Sequence, residues 1–276
     1  MMFADKILKR LTRLPGARTL WARFPVGPVD LRVRYGVFPR PHYAYGIFHA
    51  ADLAKRLGIS AISVIEFGVA GGLGLLALEN IATSIGRHLD IAINVIGFDS
   101  GHGMPEAVDY RDLPYVWSKG FYEMDEAKLR SKLSKETELV IGDVAETVRS
   151  WINRKSLAPI GFAAFDLDYY SSTKMALKVF ETANYELRLP RVYCYFDDII
   201  WPEHACHNMY IGELCAIQEF NESHEKLKLC PINLLRHMRV HEDPWNEQMY
   251  VLHDFTHPLY VRNITTPDED HTQIRI

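Results

Sequence analysis

The stretch that decides the fold is Ile62-Ser-Val-Ile-Glu-Phe-Gly-Val-Ala-Gly-Gly-Leu-Gly74. Ile62, Val64 and Ile65 form a short apolar run broken by Ser63, and four glycines then fall within seven residues. Leu75, Leu76, Leu78 and Ile81 resume at helical spacing. A buried parallel strand, a tight turn and a helix start account for this order. Glycines let a backbone come close to a ligand, and a helix N-terminus presents N–H groups without intrahelical partners. The stretch reads as the first strand-turn-helix unit of a nucleotide-type site.

Working outward, residues 42–58 place Tyr45, Phe48, Ala51, Leu53, Ala54 and Leu57 at helical spacing and stop at Gly58. Further strands are expected at 92–99, 139–143, 160–168 and 191–198, with helices at 75–86, 125–134, 144–154, 173–187 and 210–226 between or after them. Residues 101–124, rich in Gly, Pro and aromatics, read as a long lid-like loop. Two β-like stretches, Lys226–Leu235 and Gln248–His253, follow, separated by a turn at Asp243-Pro-Trp-Asn246. Strands alternating with helices imply an α/β architecture: an open, mostly parallel sheet with helices on both faces and a C-terminal antiparallel β pair. The expected organisation is a basic N-terminal extension (1–41), one domain (42–264) and a polar, frayed tail (265–276).

Composition narrows the class. The chain has 276 residues, 48% hydrophobic and 24% charged, which is ordinary for a globular protein. A net charge of −4 gives no reason to expect a nucleic-acid partner. No apolar run is long and uncharged enough to span a bilayer. Cys194, Cys206, Cys215 and Cys230 form no CxxC pair, which argues against a zinc knuckle and fits reduced thiols in a cytoplasm. The first 40 residues differ, with nine Lys or Arg against Asp5 and Asp30. One reading is an arm for a membrane surface, an acidic partner or a phosphorylated substrate. A solvated helix with its connector, or a transit peptide, fits the same composition.

Ligands of open α/β sheets bind outside the carboxyl ends of the strands. The residues expected there are Glu66, Asp99, Asp143, Asp166 with Asp168, and Asp197 with Asp198, so each of the five strands ends in a carboxylate. One such acid is usually a helix cap; five along one edge need another reason. Gly72-Leu-Gly74-Leu-Leu-Ala77 also fits the dinucleotide fingerprint GxGxxA, with Asp99 placed to hold a ribose. That reading would bury Glu66 within a longer strand, which is costly without a partner. A strand ending at Glu66-Phe67 leaves Glu66 at the pocket mouth, where it can meet a cation.

Glu66-Phe-Gly-Val-Ala-x-Gly72, Gly97-Phe-Asp-Ser100 with Gly103-Met-Pro105, Asp166-x-Asp168-x-Tyr170-x-Ser172-Thr173 and Asp197-Asp198 together resemble class I S-adenosylmethionine-dependent methyltransferases of the macrocin O-methyltransferase type. The resemblance covers about residues 60–222. It implies a Rossmann-like seven-stranded fold and S-adenosyl-L-methionine as cofactor. It places Glu66, Gly68 and Ala70 along the methionine end, Asp99 at the ribose hydroxyls and Asp143 beside the adenine, with Phe67, Val69, Gly72, Ser100 and Asp166 also in the cofactor site and Asp166 in the catalytic set as well. Asp166, Asp197 and Asp198 would hold Mg²⁺, a hard cation that takes oxygen ligands and lowers the pKa of a bound hydroxyl. Asp168 is expected to cap the helix that follows.

The sequence departs from the pattern where Leu189-Pro-Arg191 replaces a Gly-Gly and where Tyr169 stands in place of a basic lysine. His102, flanked by glycines, is the candidate base, since imidazole titrates near neutral pH. His204 and His207 are lesser candidates, and His207 could instead be a fourth ligand. Tyr115, Trp117 and Tyr122 would wall an acceptor pocket or form a core within the loop. The expected function is Mg²⁺-assisted O-methylation of a small-molecule hydroxyl, such as that of a sugar or natural-product glycoside. Two alternatives stay open: a metal-dependent glycosyltransferase using Asp166-Leu-Asp168 as a DxD, and a non-catalytic cofactor-binding protein. A homo-oligomer is compatible with all three.

Overall fold

The computed structural model describes residues 2–265; residues 266–276, nearly all of the expected polar tail, lie outside the described residues. Helices α1 (Met2–Leu11), α2 (Ala17–Arg23), α3 (Val29–Tyr35) and α4 (Pro41–Leu57) precede β1 (Ala61–Phe67). Then come α5 (Leu73–Leu89), β2 (Ala92–Asp99), α6 (Glu126–Arg130), β3 (Glu138–Ile141), α7 (Val144–Ile152), β4 (Ile160–Phe165) and α8 (Tyr170–Ala176). The chain continues through β5 (Arg188–Phe196), α9 (Gly212–Ser223), β6 (Leu227–Pro231), α10 (Leu235–Met238) and β7 (Met249–Asp254). The strands form one sheet in the order β3-β2-β1-β4-β5-β7-β6. The first five run parallel, and β7 is antiparallel to both neighbours. Strand order reverses between β1 and β4, so the ligand crevice is expected at their carboxyl ends.

β1 and β4 are buried along nearly their whole length because helices cover both faces. On one face the core packs against α4 and α5, and on the other against α7, α8 and α9. α4 lies so close to the sheet that a Cβ on Gly46 would stand 2.3 Å from the Phe162 ring. The second face ends in a row of aromatic rings. Phe98, Phe67, Phe165 and Phe196 stack across β2, β1, β4 and β5 with centroids 5.0, 5.1 and 4.7 Å apart. Their strands are in register at these positions: Phe67 opposes both Phe98 and Phe165, and Phe165 opposes Phe196.

Several boundaries differ from expectation. β3, β4 and β5 stop at Ile141, Phe165 and Phe196, so Asp143, Asp166, Asp168, Asp197 and Asp198 lie beyond the strand ends. Backbone bonds explain this: Asp166 N–H donates to Phe67 O and Asp197 N–H to Phe165 O, after which no neighbour continues the ladder. The expected helix 173–187 is α8, a 3₁₀ turn at Leu177–Phe180 and a second turn at Tyr185–Leu187. β5 begins earlier, at Arg188, and takes in Pro190. A central strand tolerates that proline because its register against β4 shifts there, from Ile160 opposite Arg188 to Phe162 opposite Tyr193. The expected strand to Leu235 ends at Pro231, and α10 follows. No helix of the described residues is long and apolar enough to cross a membrane.

The basic first 40 residues are neither a loose arm nor uniformly solvated. Arg18 makes a two-pronged bond to Asp243 at 2.9 Å on both oxygens, and Thr12 Oγ1 lies 2.8 Å from His241 Nε2. Arg40 enters the crevice.

Removing the Phe165 side chain should show whether the row is a packing unit. Phe165→Ala is expected to cost about 3–5 kcal/mol in urea unfolding, the range for a fully buried ring. A loss under about 1 kcal/mol would show that the stacked rings do not brace the sheet end.

Candidate active site

The residue after each ring of the row is Gly68, Asp99, Asp166 or Asp197. Side chains alternate across a sheet, so these positions turn away from the rings. All four line one cavity of about 820 Å³ at the carboxyl ends of β1, β2, β4 and β5. The register of the rings thus sets these groups at one level.

The glycine turn closes one wall. Gly68 has a φ of +85°, and a Cβ there would meet Asp166 O at 1.8 Å, so only glycine fits. Asp99 pins the turn: its Oδ2 accepts from Val69 and Ala70 N–H at 2.9 and 2.8 Å, and its Oδ1 from Gly101 N–H at 2.7 Å. α5 then starts with no side-chain cap, and its first residues face the cavity.

Glu66 lies in β1 and is 1% exposed, at the cavity floor rather than its mouth. Tyr43 of α4 donates to Oε1 at 2.6 Å, which supplies the partner a buried carboxylate needs. Oε2 is buried with no hydrogen-bond partner. Burial pushes the Glu66 carboxyl up to about 7, although the Tyr43 bond and nearby Arg40 oppose the shift. Gly74 makes room for this group, since a Cβ there would stand 1.9 Å from Oε1.

Opposite, Asp166, Asp197 and Asp198 each offer an oxygen within 4.8 Å of the others. Tyr195 donates to Asp197 Oδ1 at 2.6 Å, and Gln248 donates to the Asp197 carbonyl at 2.6 Å. Asp198 Oδ2 accepts from Asp168 N–H at 2.8 Å, and Asp198 N–H donates to Glu213 Oε2 at 3.1 Å. Burial, reinforced by repulsion among these acids, raises the Asp166, Asp198 and Glu213 carboxyls well above the usual range. Asp168 is pushed up to about 6, chiefly by burial. Tyr122, facing the same acids, is pushed up to about 12 by burial first and their charge second. Seven carboxylates line the cavity against one cationic side chain, Arg40. Such a donor set suits hard cations, and its uncompensated charge favours positively charged ligands.

Of the residues expected in the site, Glu66, Gly68, Val69, Ala70, Gly72, Asp99, Ser100, Asp143, Asp166, Asp197 and Asp198 line this cavity. Asp143 also caps α7, accepting from Ala145 and Glu146 N–H. Phe67 does not line it, because its ring belongs to the stacked row behind. His102 is not there either: it is exposed, and its backbone N–H donates to Ser100 Oγ at 3.1 Å. Ser100 Oγ–H in turn donates to Gly103 O at 2.8 Å and closes a short turn around His102. His204 is the histidine that lines the cavity. His207 is not a member of the acidic trio's group; its Nε2 lies 3.1 Å from Trp201 O. Asp168 caps no helix. It has a φ of +57°, and Tyr169 occupies the cap position. Asp168 lines the cavity but is not a member of the acidic trio.

Trp117 and Tyr122 wall the cavity, whereas Tyr115 donates to Ala205 O at 2.7 Å and straps the loop down. Buried Asp112 anchors the loop's middle, accepting from Val108 N–H and from Ser171 N–H and Oγ–H. Sequence reasoning missed Arg40, Tyr43 and Glu213. The first two are distant in sequence from every motif, and only packing brings them in. Glu213 had a signal: a carboxylate on the inward side of a helix, where apolar residues are the rule.

No protein-family model and no curated protein matches the chain. Among solved structures it is similar to CalS11, a calicheamicin methyltransferase, at 21% identity over 86% of this chain and 89% of that one, with a TM-score of 0.49. It is similar to the O-methyltransferase NovP at 14% identity, covering 91% of this chain and 98% of that one, with a TM-score of 0.49. TomG of Streptomyces achromogenes, an O-methyltransferase of tomaymycin synthesis solved with S-adenosylmethionine, is 13% identical over 88% of this chain and 96% of that one, with a TM-score of 0.42. Identities this low leave function to be read from the site. The strand order and the antiparallel β7 make the fold a Rossmann-like one of the class I methyltransferase type.

The raised Glu66 carboxyl has a pH signature. A carboxyl whose pKa folding raises gives its full contribution below the unfolded value and loses it as pH climbs through the folded value. Glu66 moves from 4.5 to about 7. Glu66→Gln, uncharged at every pH, should therefore gain on the wild type between about pH 5 and 8, by up to roughly 3 kcal/mol. Denaturant midpoints across that range test it. Parallel curves would show that Glu66 titrates as an ordinary acid.

Proposed function

We propose that the chain is an S-adenosylmethionine-dependent O-methyltransferase of the macrocin type, acting on a hydroxyl of a small molecule such as a sugar or natural-product glycoside. The observation that carries the reading is the unpartnered, buried Glu66 oxygen in a cavity where seven acids face one arginine. A ligand entering beside Glu66 is favoured if it brings positive charge, as a sulfonium carrying an ammonium group does. A nucleotide-sugar brings negative charge instead, which is why the glycosyltransferase alternative is not adopted.

In this reading Glu66 Oε2 accepts from the ammonium of the methionine end, and Arg40 meets its carboxylate. Asp99 holds the glycine turn in shape and presents its remaining acceptor capacity to the ribose; Asp143 borders the adenine. Asp166, Asp197 and Asp198 would hold a divalent cation such as Mg²⁺. When bound, the cofactor supplies an electrophilic methyl group and the cation makes an acceptor hydroxyl more acidic. Glu213 keeps Asp198 in place through its backbone N–H. Trp117, Tyr122 and Trp201 give the acceptor an aromatic wall. His204 takes the acceptor's proton, the role first considered for His102. Tyr169 is unsuited to it, since its hydroxyl is buried and outside the cavity.

Calorimetry should detect S-adenosylmethionine binding that Glu66→Gln weakens about tenfold to a hundredfold, the loss expected for one charge-assisted hydrogen bond. Undiminished binding by that variant would sink the donor-site assignment. Methyl transfer to glycoside acceptors, followed with labelled donor, should fall on EDTA treatment, and Asp197→Asn should abolish the EDTA-sensitive part. Activity indifferent to both removes the metal but not the donor site. His204→Ala should lower kcat by about 10²–10⁴ with donor binding intact; an unchanged kcat would exclude it as the base.

A further inference from the structure

We propose that the outer face of α1 and α2, with the turns that follow them, docks the protein onto an anionic lipid surface. Charge along the chain is segregated. Residues 1–40 hold nine Lys or Arg against two Asp, leaving 22 basic against 33 acidic residues in the remainder. The body therefore repels a negative surface while its N-terminal end is drawn to one.

The orientation of this end is fixed. Thr12 meets His241, Arg18 grips Asp243 with two bonds, and Trp21 packs on Tyr35 with ring centroids 5.9 Å apart. Away from those contacts, along the same helices and the turns after them, Ile7, Leu11, Leu14, Leu20, Phe24 and Val26 are 44–67% exposed. Ile7 and Leu11 are four residues apart in α1 and so share a face. Lys6, Lys9, Arg10, Arg13 and Arg23 are exposed on the same segment and form no ion pair with any described residue.

The mixture selects the partner. A purely electrostatic partner such as RNA would use the cations and leave the large apolar side chains in water. A neutral apolar partner would strand the cations. A bilayer with anionic headgroups takes both, with apolar side chains entering the headgroup–acyl boundary and Lys and Arg staying among the phosphates. Each cation at such a surface is worth roughly a fivefold gain in partitioning.

The test is co-sedimentation of the full chain with phosphatidylcholine vesicles, alone or containing phosphatidylserine. Binding is expected to the anionic vesicles only and to weaken as salt rises. Arg10→Gln with Arg13→Gln should lower partitioning roughly 25-fold, and Leu11→Asp with Phe24→Asp should abolish it. Melting curves of both variants should match the wild type, since these side chains face solvent. Failure of the wild type to bind anionic vesicles would overturn the proposal. So would equal binding to both vesicle types, RNA binding without vesicle binding, or self-association in solution that Leu11→Asp removes. None of these outcomes depends on the catalytic reading.

Discussion

Four phenylalanine rings stacked in register across four parallel strands are the constraint on which the working end of this protein rests. Each ring is the last or next-to-last residue of its strand. Because side chains alternate, whatever follows a ring turns toward the opposite face and the open edge. Gly68, Asp99, Asp166 and Asp197 occupy those places. Their shared level is a property of the strand register and not of any direct bond among them. Repelling acids would move apart if the backbone beneath them could yield; the dry aromatic layer behind them resists that.

The same arrangement stores electrostatic tension. Three carboxyls, those of Asp166, Asp198 and Glu213, are raised because burial strips their water and their neighbours share their sign. Backbone N–H groups from Asp168 and Asp198, and hydroxyls from Tyr43 and Tyr195, offset part of it. Hydrogen bonds of this kind satisfy lone pairs but do not cancel net charge. Acids outnumber cations among the side chains that line the cavity, and that imbalance is a stronger guide to chemistry than any one motif.

Pieces from outside the sheet complete the site. Tyr43 and Arg40 arrive because α4 crosses the sheet at a glycine, Gly46, close enough to reach β4. The loop after β2 is lid-like in composition, yet Asp112 and Tyr115 strap it to α8 and to the turn at Glu203–Ala205. The middle of the loop is thereby tied to the body of the fold, with Trp117 and Tyr122 of the same loop lining the cavity. His204 stands on that same turn, so the loop and the candidate base share an anchor.

The sequence by itself determined the alternation of the five parallel strands with helices, the glycine turn and the acids at or just beyond each strand end. Those features are local: apolar runs, glycine and proline punctuation, and a polar residue where a run stops. It also held a signal that went unread, the repeated Phe-Gly or Phe-Asp pair at 67–68, 98–99, 165–166 and 196–197. Tertiary structure alone decided which acids share a cavity, that Glu66 is buried against Tyr43, that Arg40 faces inward, and that His204 rather than His102 reaches the site. The reason is physical. Strand register, helix crossing and loop anchoring join residues tens to hundreds of positions apart, and no local pattern encodes which of them will meet.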